Sequence, residues 1–269
     1  MGGENGDAAM AAAAAGEKEE GREKGRRKFA VLLCADDSEY VRKAYGGYFK
    51  VFVGLLGEEG EAWHVYRAAH GELPTAAEAD GYDGFVITGS CNDAHGDDPW
   101  IEGLVAFLRA LDAKKKKVLG VCFGHQILCR ALGGTTGRAK KGWDIGVTCV
   151  HPSHTIIKTQ SSLHIPSHLP VIKFHRDEVW QLPPQAEVLA WSEKTDIEMF
   201  RYGNHIMGIQ GHPEYDKDIL LHLIDRLLQR NLIQTCHAEA AKVSIGTRQP
   251  DREAWKRLCK GFLKGDLLW

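Results

Sequence analysis

Apolar residues fall in short blocks along this chain, and the blocks change character about halfway. Phe29-Ala30-Val31-Leu32-Leu33-Cys34 is apolar without interruption and stops at Asp36-Asp37-Ser38, the pattern of a buried strand feeding a helix start. From Glu39 to Leu56 the spacing is helical, Trp63 to Arg67 alternates apolar and polar, and Phe85-Val86-Ile87 reads as a second buried strand. Pro99 to Leu111 puts Ile101, Leu104, Val105 and Leu108 on one helical face, and Lys117 to Val121 is another buried strand followed by a helix. Strands apolar throughout and alternating with helices predict parallel pairing with helices on both sheet faces.

The second half predicts short strands with little helix between them: Ile145 to Val150, Thr155 to Lys158, Val171 to Phe174, Val188 to Trp191, Glu198 to Tyr202 and Ile206 to Ile209. These are expected to add antiparallel strands at the sheet edge. Helical patterning returns at Asp216 to Gln229 and near Arg252 to Leu263. The expected fold is therefore α/β, a doubly wound, mostly parallel central sheet with helices on both faces and antiparallel edge strands. Residues 1–28 stand apart, because Gly, Ala and charged residues fill 25 of the 28 positions and six acids cancel six bases. Such a segment lacks the apolar surface to fold and is expected to be a disordered tail, with one domain from 29 to 269.

Charge and cysteine usage narrow the function. The 269 residues carry 34 Lys and Arg against 36 Asp and Glu, a formal net charge of −2, which excludes a nucleic-acid binder driven by phosphate neutralisation. The longest apolar runs fall far short of the roughly 20 residues that span a bilayer, and the Ala-rich start lacks the basic-then-apolar order of a secretory leader. Seven cysteines without a Cys-x-x-Cys pair argue against a disulfide framework or a zinc site and for free thiols in the cytosol. The histidines at 151, 154, 164, 168 and 175 match no metal-ligand spacing, so no metal is expected. No glycine-rich phosphate fingerprint is present, and no cofactor is expected.

One stretch carries chemistry. Gly120-Val121-Cys122-Phe123-Gly124-His125-Gln126 is Gly-x-Cys-x-Gly at a strand-to-helix turn, where flanking glycines permit the strained backbone and close approach that a nucleophile elbow needs. The helix N-terminus favours a thiolate at Cys122, and the Phe123 amide is left to donate to a developing oxyanion. An amide's leaving nitrogen needs a proton donor, and His212 in Gln210-Gly211-His212-Pro213-Glu214 follows a strand expected at a sheet edge, with Glu214 placed to orient its ring. Thr88-Gly89-Ser90 ends a neighbouring strand, so the Gly89 or the Ser90 amide is the expected second oxyanion donor.

These three motifs, in this order, resemble the class I, triad-type glutamine amidotransferases with their flavodoxin-like core, and among them most closely the plant γ-glutamyl peptidases; the resemblance covers roughly residues 29 to 229. It implies Cys122 as nucleophile, His212 as general base then acid, and Glu214 as its orienter. It further implies that Gln126 and the backbone near His175, Arg176 and Asp177 hold the amino and carboxylate ends of a glutamyl group. Thr88-Gly89-Ser90 stands where many glutaminases carry Gly-Gly-Pro, and the 40 C-terminal residues offer no nucleotide or acceptor site. The expected activity is therefore hydrolysis of the γ-glutamyl amide of glutathione or its S-conjugates, a small-molecule reaction with no obligate synthase partner. The alternatives are a free-standing glutaminase supplying ammonia to a separate synthase, and a family member that binds without turnover. Specificity is expected in the segments Cys91 to Trp100 and Lys140 to Ile145.

Overall fold

The computed structural model describes residues 26–156 and 165–267. Five parallel strands form half of a nine-stranded sheet: β1 (Lys28–Leu32), β2 (Ala62–Tyr66), β3 (Gly84–Ile87), β4 (Lys117–Val121) and, much later in the chain, β11 (Ile206–Ile209). Between them in sequence lie β5 (Thr135–Arg138), β6 (Asp144–Pro152), β7 (Leu169–His175), β8 (Asp177–Gln181), β9 (Ala186–Trp191) and β10 (Met199–Tyr202). The sheet runs β2-β1-β3-β4-β11-β10-β9-β6-β7, and β5 with β8 makes a separate two-stranded ladder. The order β2-β1-β3-β4-β11 is flavodoxin-like, and such sheets bind ligands beyond the carboxyl ends of their strands. The expected α/β architecture is the observed one.

Strands β1, β3, β4 and β11 are buried on both faces and their side chains alternate between two cores, whereas β2, at the sheet edge, is half-exposed. Phe29, Val31, Val86, Leu119, Val121, Met207 and Ile209 face one way, against Phe52 of α2 (Tyr48–Leu56) and Trp255, Leu258 and Phe262 of α8 (Arg252–Lys264). Ala30, Leu32, Phe85, Ile87, Val118 and Ile206 face the other way, against Leu104 and Leu108 of α4 (Pro99–Ala113) and Ile127 and Leu128 of α5 (Phe123–Ala131). A third core joins β6 and β7 to α6 (Lys217–Gln229) and α7 (Thr235–Thr247) through Val147, Ile172, Leu220, Ile224 and Ala241. Two shorter helices are α1 (Glu39–Tyr45) and the one-turn α3 (Ala76–Asp80). Among the described residues no helix is long and apolar enough to cross a membrane.

Four expectations need correction. The helical stretch from Glu39 to Leu56 is two helices, because Gly46 and Gly47 take φ of 77° and 99° and end α1. The Asp37 carboxylate then accepts from the Tyr48 amide at 2.6 Å and starts α2 in a new direction. Strand β11 is not an edge addition. It pairs parallel with β4 in the middle of the sheet, and only from β10 outward is the pairing antiparallel. Its four residues are all buried, as expected for a strand covered on both faces. Thr155, assigned to a strand, is helical, and the remainder of that stretch beyond Ile156 lies outside the described residues. Arg26, Arg27 and Lys28, assigned to the tail, belong to the fold: Arg26 donates to the carbonyls of Gly60 at 3.0 Å and Glu61 at 2.8 Å, and Lys28 opens β1. The rest of the tail, residues 1–25, lies outside the described residues.

Candidate active site

The carboxyl ends of β3, β4 and β11 meet at one point, and three short motifs converge there. Cys122 occupies the turn between β4 and α5 with φ of 55° and ψ of −105°, a backbone conformation that costs a non-glycine residue of the order of 1–3 kcal/mol. The surrounding geometry imposes it. A Cβ on Gly120 would lie 2.4 Å from the Gly124 carbonyl oxygen, and one on Gly124 would lie 2.3 Å from the Ile87 carbonyl oxygen. Only glycine at both positions lets α5 rest directly on β3 and β4, and that contact forces the sharp turn at the cysteine. The Phe123 amide sits in the first turn of α5, where the helix itself supplies no acceptor. The Phe123 ring is buried and stacks on Trp100 at 5.6 Å, so only its backbone is free to act at the site.

His212 follows β11 and is held from three sides. Its amide donates to the Ile172 carbonyl at 2.8 Å, its ring lies flat on Tyr215 with centroids 4.1 Å apart, and its Nδ1–H donates to Oε1 of Glu214 at 2.7 Å. Both side chains are buried. Burial pulls the imidazole down, but the Glu214 carboxylate and then the Cys122 thiolate outweigh it and push the ring up to about 10. Glu214 and Cys122 thus both favour the charged form of a ring that is itself buried. Gly89 lies against the pair, since a Cβ on it would meet His212 Cε1 at 3.0 Å and Cys122 Cβ at 3.7 Å. The Thr88 hydroxyl accepts from the Cys34 amide at 3.0 Å and ties the ends of β1 and β3 together. Ser90 also borders the site, with its hydroxyl accepting from the Asn92 amide at 3.1 Å.

A cavity of about 690 Å³ opens over these residues, and Gly89, Ser90, Cys122, Gln126, His175, Arg176, Asp177, His212 and Glu214 all line it. The expected site residues are therefore brought together, Phe123 through its backbone. Gln126 is already engaged: its Nε2 donates to the Asp177 carbonyl at 2.8 Å and to Gln210 Oε1 at 3.1 Å, so its Oε1 is what it offers a ligand. His175 is buried, with Nδ1 3.0 Å from the Asp177 carbonyl and Nε2 3.5 Å from Asp144. That pairing positions the β7–β8 turn. Burial alone would raise Asp144, yet the adjacent His175 holds it down to about 2.

The sequence did not reveal an ion-pair network on this rim. Arg138, on β5, grips Asp93 through both terminal nitrogens, at 3.1 and 2.8 Å, and also bonds Asp177. Arg176 lies over the Trp143 ring at 5.6 Å. Asp93, His95 and Asp177 bring ligand atoms within 4.8 Å of one another, a spacing that would admit a cation, and the Arg138 guanidinium supplies the positive charge there. The expected specificity segments contribute Cys91, Asn92, Asp93, Trp100 and Trp143 to the cavity. A whole further wall, from α2 and α6, had no signal in the sequence: Tyr48, Phe52, Leu223, Arg226 and Leu227.

The other buried cysteines are chemically muted. Burial pushes the Cys34 and Cys129 thiols up to about 12, and Cys259 also rises, and none of the three lines the cavity. Iodoacetamide at neutral pH is accordingly expected to alkylate Cys122 well ahead of Cys34, Cys129 and Cys259, scored by peptide mass spectrometry. Equal labelling of Cys122 and Cys34 would remove the case for a reactive thiol at the turn.

Comparison with known proteins agrees with this geometry. Residues 41–220 match the family described as glutamine amidotransferase class-I. γ-Glutamyl peptidase 5 of Arabidopsis thaliana is 49% identical over 242 residues, covering 89% of this chain and 96% of that protein. γ-Glutamyl peptidase 3 of the same plant is 48% identical over 247 residues, with 89% and 98% covered. In fold, the crystal structure of a glutamine amidotransferase from Thermotoga maritima superposes with a TM-score of 0.66 at 20% identity, over 89% of this chain and 98% of that one. The chain belongs to the class-I glutamine amidotransferase family.

Proposed function

We propose that this chain is a cysteine-dependent γ-glutamyl peptidase that hydrolyses the γ-glutamyl amide bond of glutathione or glutathione S-conjugates. Cys122 is the nucleophile, His212 the proton carrier and Glu214 its orienter. The thiolate attacks the γ-carbonyl, and the amides of Phe123 and of Gly89 or Ser90 receive the oxyanion. His212 gives its proton to the departing amine, releasing Cys-Gly or its conjugate and leaving a γ-glutamyl thioester on Cys122. The neutral imidazole then takes a proton from water, hydroxide adds to the thioester, and glutamate leaves as the thiolate re-forms. The mixed charges of Arg138, Asp93 and Asp177 near Gln126 suit the zwitterionic end of a glutamyl group, which needs both a cationic and an anionic contact.

Glutamine and a γ-glutamyl peptide share their acyl half and differ only in the leaving amine. The observation that carries the peptidase reading is that the cavity continues past His212 and Tyr215 along α2 and α6 to Arg226 and Leu232, which provides space on the side where ammonia would need none. The near-full-length likeness to proteins named γ-glutamyl peptidase points the same way. The test is parallel incubation of purified protein with glutamine, glutathione and an S-conjugate, scoring glutamate, ammonia and Cys-Gly product. Glutamate with Cys-Gly product, absent in Cys122→Ala, is expected. Ammonia from glutamine, with no turnover of either peptide, would replace this reading by that of a glutaminase.

A further inference from the structure

The two ends of the cavity differ in charge. At the Gln126 end Arg138 is already paired with Asp93 and Asp177, so that end presents both signs. At the other end Arg226 and Arg230, four residues apart on and just after α6, are exposed and line the cavity. Neither side chain has a hydrogen-bond or ion-pair partner among the described residues. At 1.5 Å of rise per residue they stand about 6 Å apart along one helical face.

A continuous wall links this end to the reacting atoms. The His212 ring stacks on Tyr215, Tyr215 faces Tyr48 with centroids 6.0 Å apart, and Tyr48 lies within the electrostatic reach of Arg226. His212 is the group that hands a proton to the leaving amine, so the wall beyond it is where the leaving group lies. From its scissile nitrogen, a Cys-Gly leaving group reaches its terminal carboxylate across two residues, about 7 Å at 3.3–3.6 Å each. Two free guanidiniums on that wall match a carboxylate in charge and in fork geometry.

We infer that Arg226 and Arg230 form a leaving-group subsite that binds the C-terminal carboxylate of the γ-glutamyl peptide, and so select peptides ending in a free acid over amides that lack one. This inference rests on the peptidase reading. It adds two specificity-determining residues outside the triad and outside the glutamyl end of the cavity. Charge-assisted hydrogen bonds of this kind contribute roughly 10- to 100-fold in binding.

The experiment compares kcat/KM for glutathione and for glutathione with its glycine carboxylate amidated, in the native protein, in Arg226→Gln/Arg230→Gln and in Arg226→Lys/Arg230→Lys. The native protein is expected to favour the free acid by roughly 10- to 100-fold, chiefly through KM. In the glutamine pair that preference should fall to about twofold, and the lysine pair should recover part of it. Reading a ratio within one protein separates recognition from any general loss of activity, and both arginines are exposed, so folding is preserved. Native protein that treats acid and amide alike, or a glutamine pair that keeps the preference, overturns the subsite while leaving the peptidase reading intact. Native protein that cleaves neither peptide but hydrolyses glutamine overturns the peptidase reading and the subsite with it.

Discussion

Cys122→Gly is expected to melt a few degrees above Cys122→Ala while both variants lose turnover. The reason lies in the backbone. At φ of 55° and ψ of −105°, any residue with a Cβ pays of the order of 1–3 kcal/mol that glycine does not, and glycine's own entropic cost returns about 0.5–1 kcal/mol of that. The net gain of about 1 kcal/mol corresponds to about 2–4 °C for a chain of this size. Comparing glycine with alanine isolates the backbone, because both variants lack the thiol. Loss of the nucleophile should lower kcat by at least about 10⁴-fold, and in well-studied triads such losses reach about 10⁶. Calorimetric melts with single-turnover assays measure both effects. A Cys122→Gly variant that melts below Cys122→Ala would show that the turn imposes no backbone strain on a residue with a Cβ.

That turn was also the part of the site most legible in the sequence, for the same physical reason. A cysteine needs glycine on both flanks only where a helix must come down onto a strand, and the 2.4 and 2.3 Å clashes at Gly120 and Gly124 are the steric form of that requirement. His212 and Glu214 were legible because an imidazole with a carboxylate two residues away is a local unit, whose bond needs no knowledge of the fold. Strands β1, β3 and β4 were legible as parallel because burial on both faces leaves an unbroken apolar run. What was hidden depends on long-range placement. Four buried residues at β11 look alike whether the strand is central or peripheral, and its pairing with β4 joins residues 206 and 118. Helix α7 escaped notice because its buried positions are Ala238, Ala241 and Ile245, two of them too small to make a strong apolar pattern. Arg138, Asp93 and Asp177 come from three distant segments, and Arg226 and Arg230 look like an ordinary solvated helix end until the cavity beside them is seen.

Glu214→Gln is expected to cost about 10²- to 10⁴-fold in kcat and to move the alkaline limb of the pH–rate profile to the acid side of neutral. In the native protein burial disfavours the His212 cation, and the Glu214 carboxylate and Cys122 thiolate reverse that preference, lifting the ring to about 10. The imidazolium that protonates the leaving amine therefore persists through neutral pH, and native activity should not decline on the alkaline side until the ring begins to lose its proton near that value. Glutamine is isosteric but uncharged, so it takes away the first of the two charges opposing desolvation, and burial then pulls the ring toward its neutral form. The amide also presents either its oxygen or its NH₂ to Nδ1, which loosens control of the tautomer. Removal of an orienting carboxylate elsewhere has cost about 10⁴ in kcat. Stability should follow the same sign. A histidine whose folded value is raised contributes stability that is full below its ordinary value of about 6.5 and is lost as pH climbs through the folded value. The melting difference between native protein and Glu214→Gln is thus expected to be largest near pH 6 and to narrow toward pH 10. A variant that keeps kcat within tenfold of native, with its alkaline limb unmoved, would mean that Tyr215 stacking and the Ile172 hydrogen bond alone hold His212, and that the carboxylate is no part of the machinery.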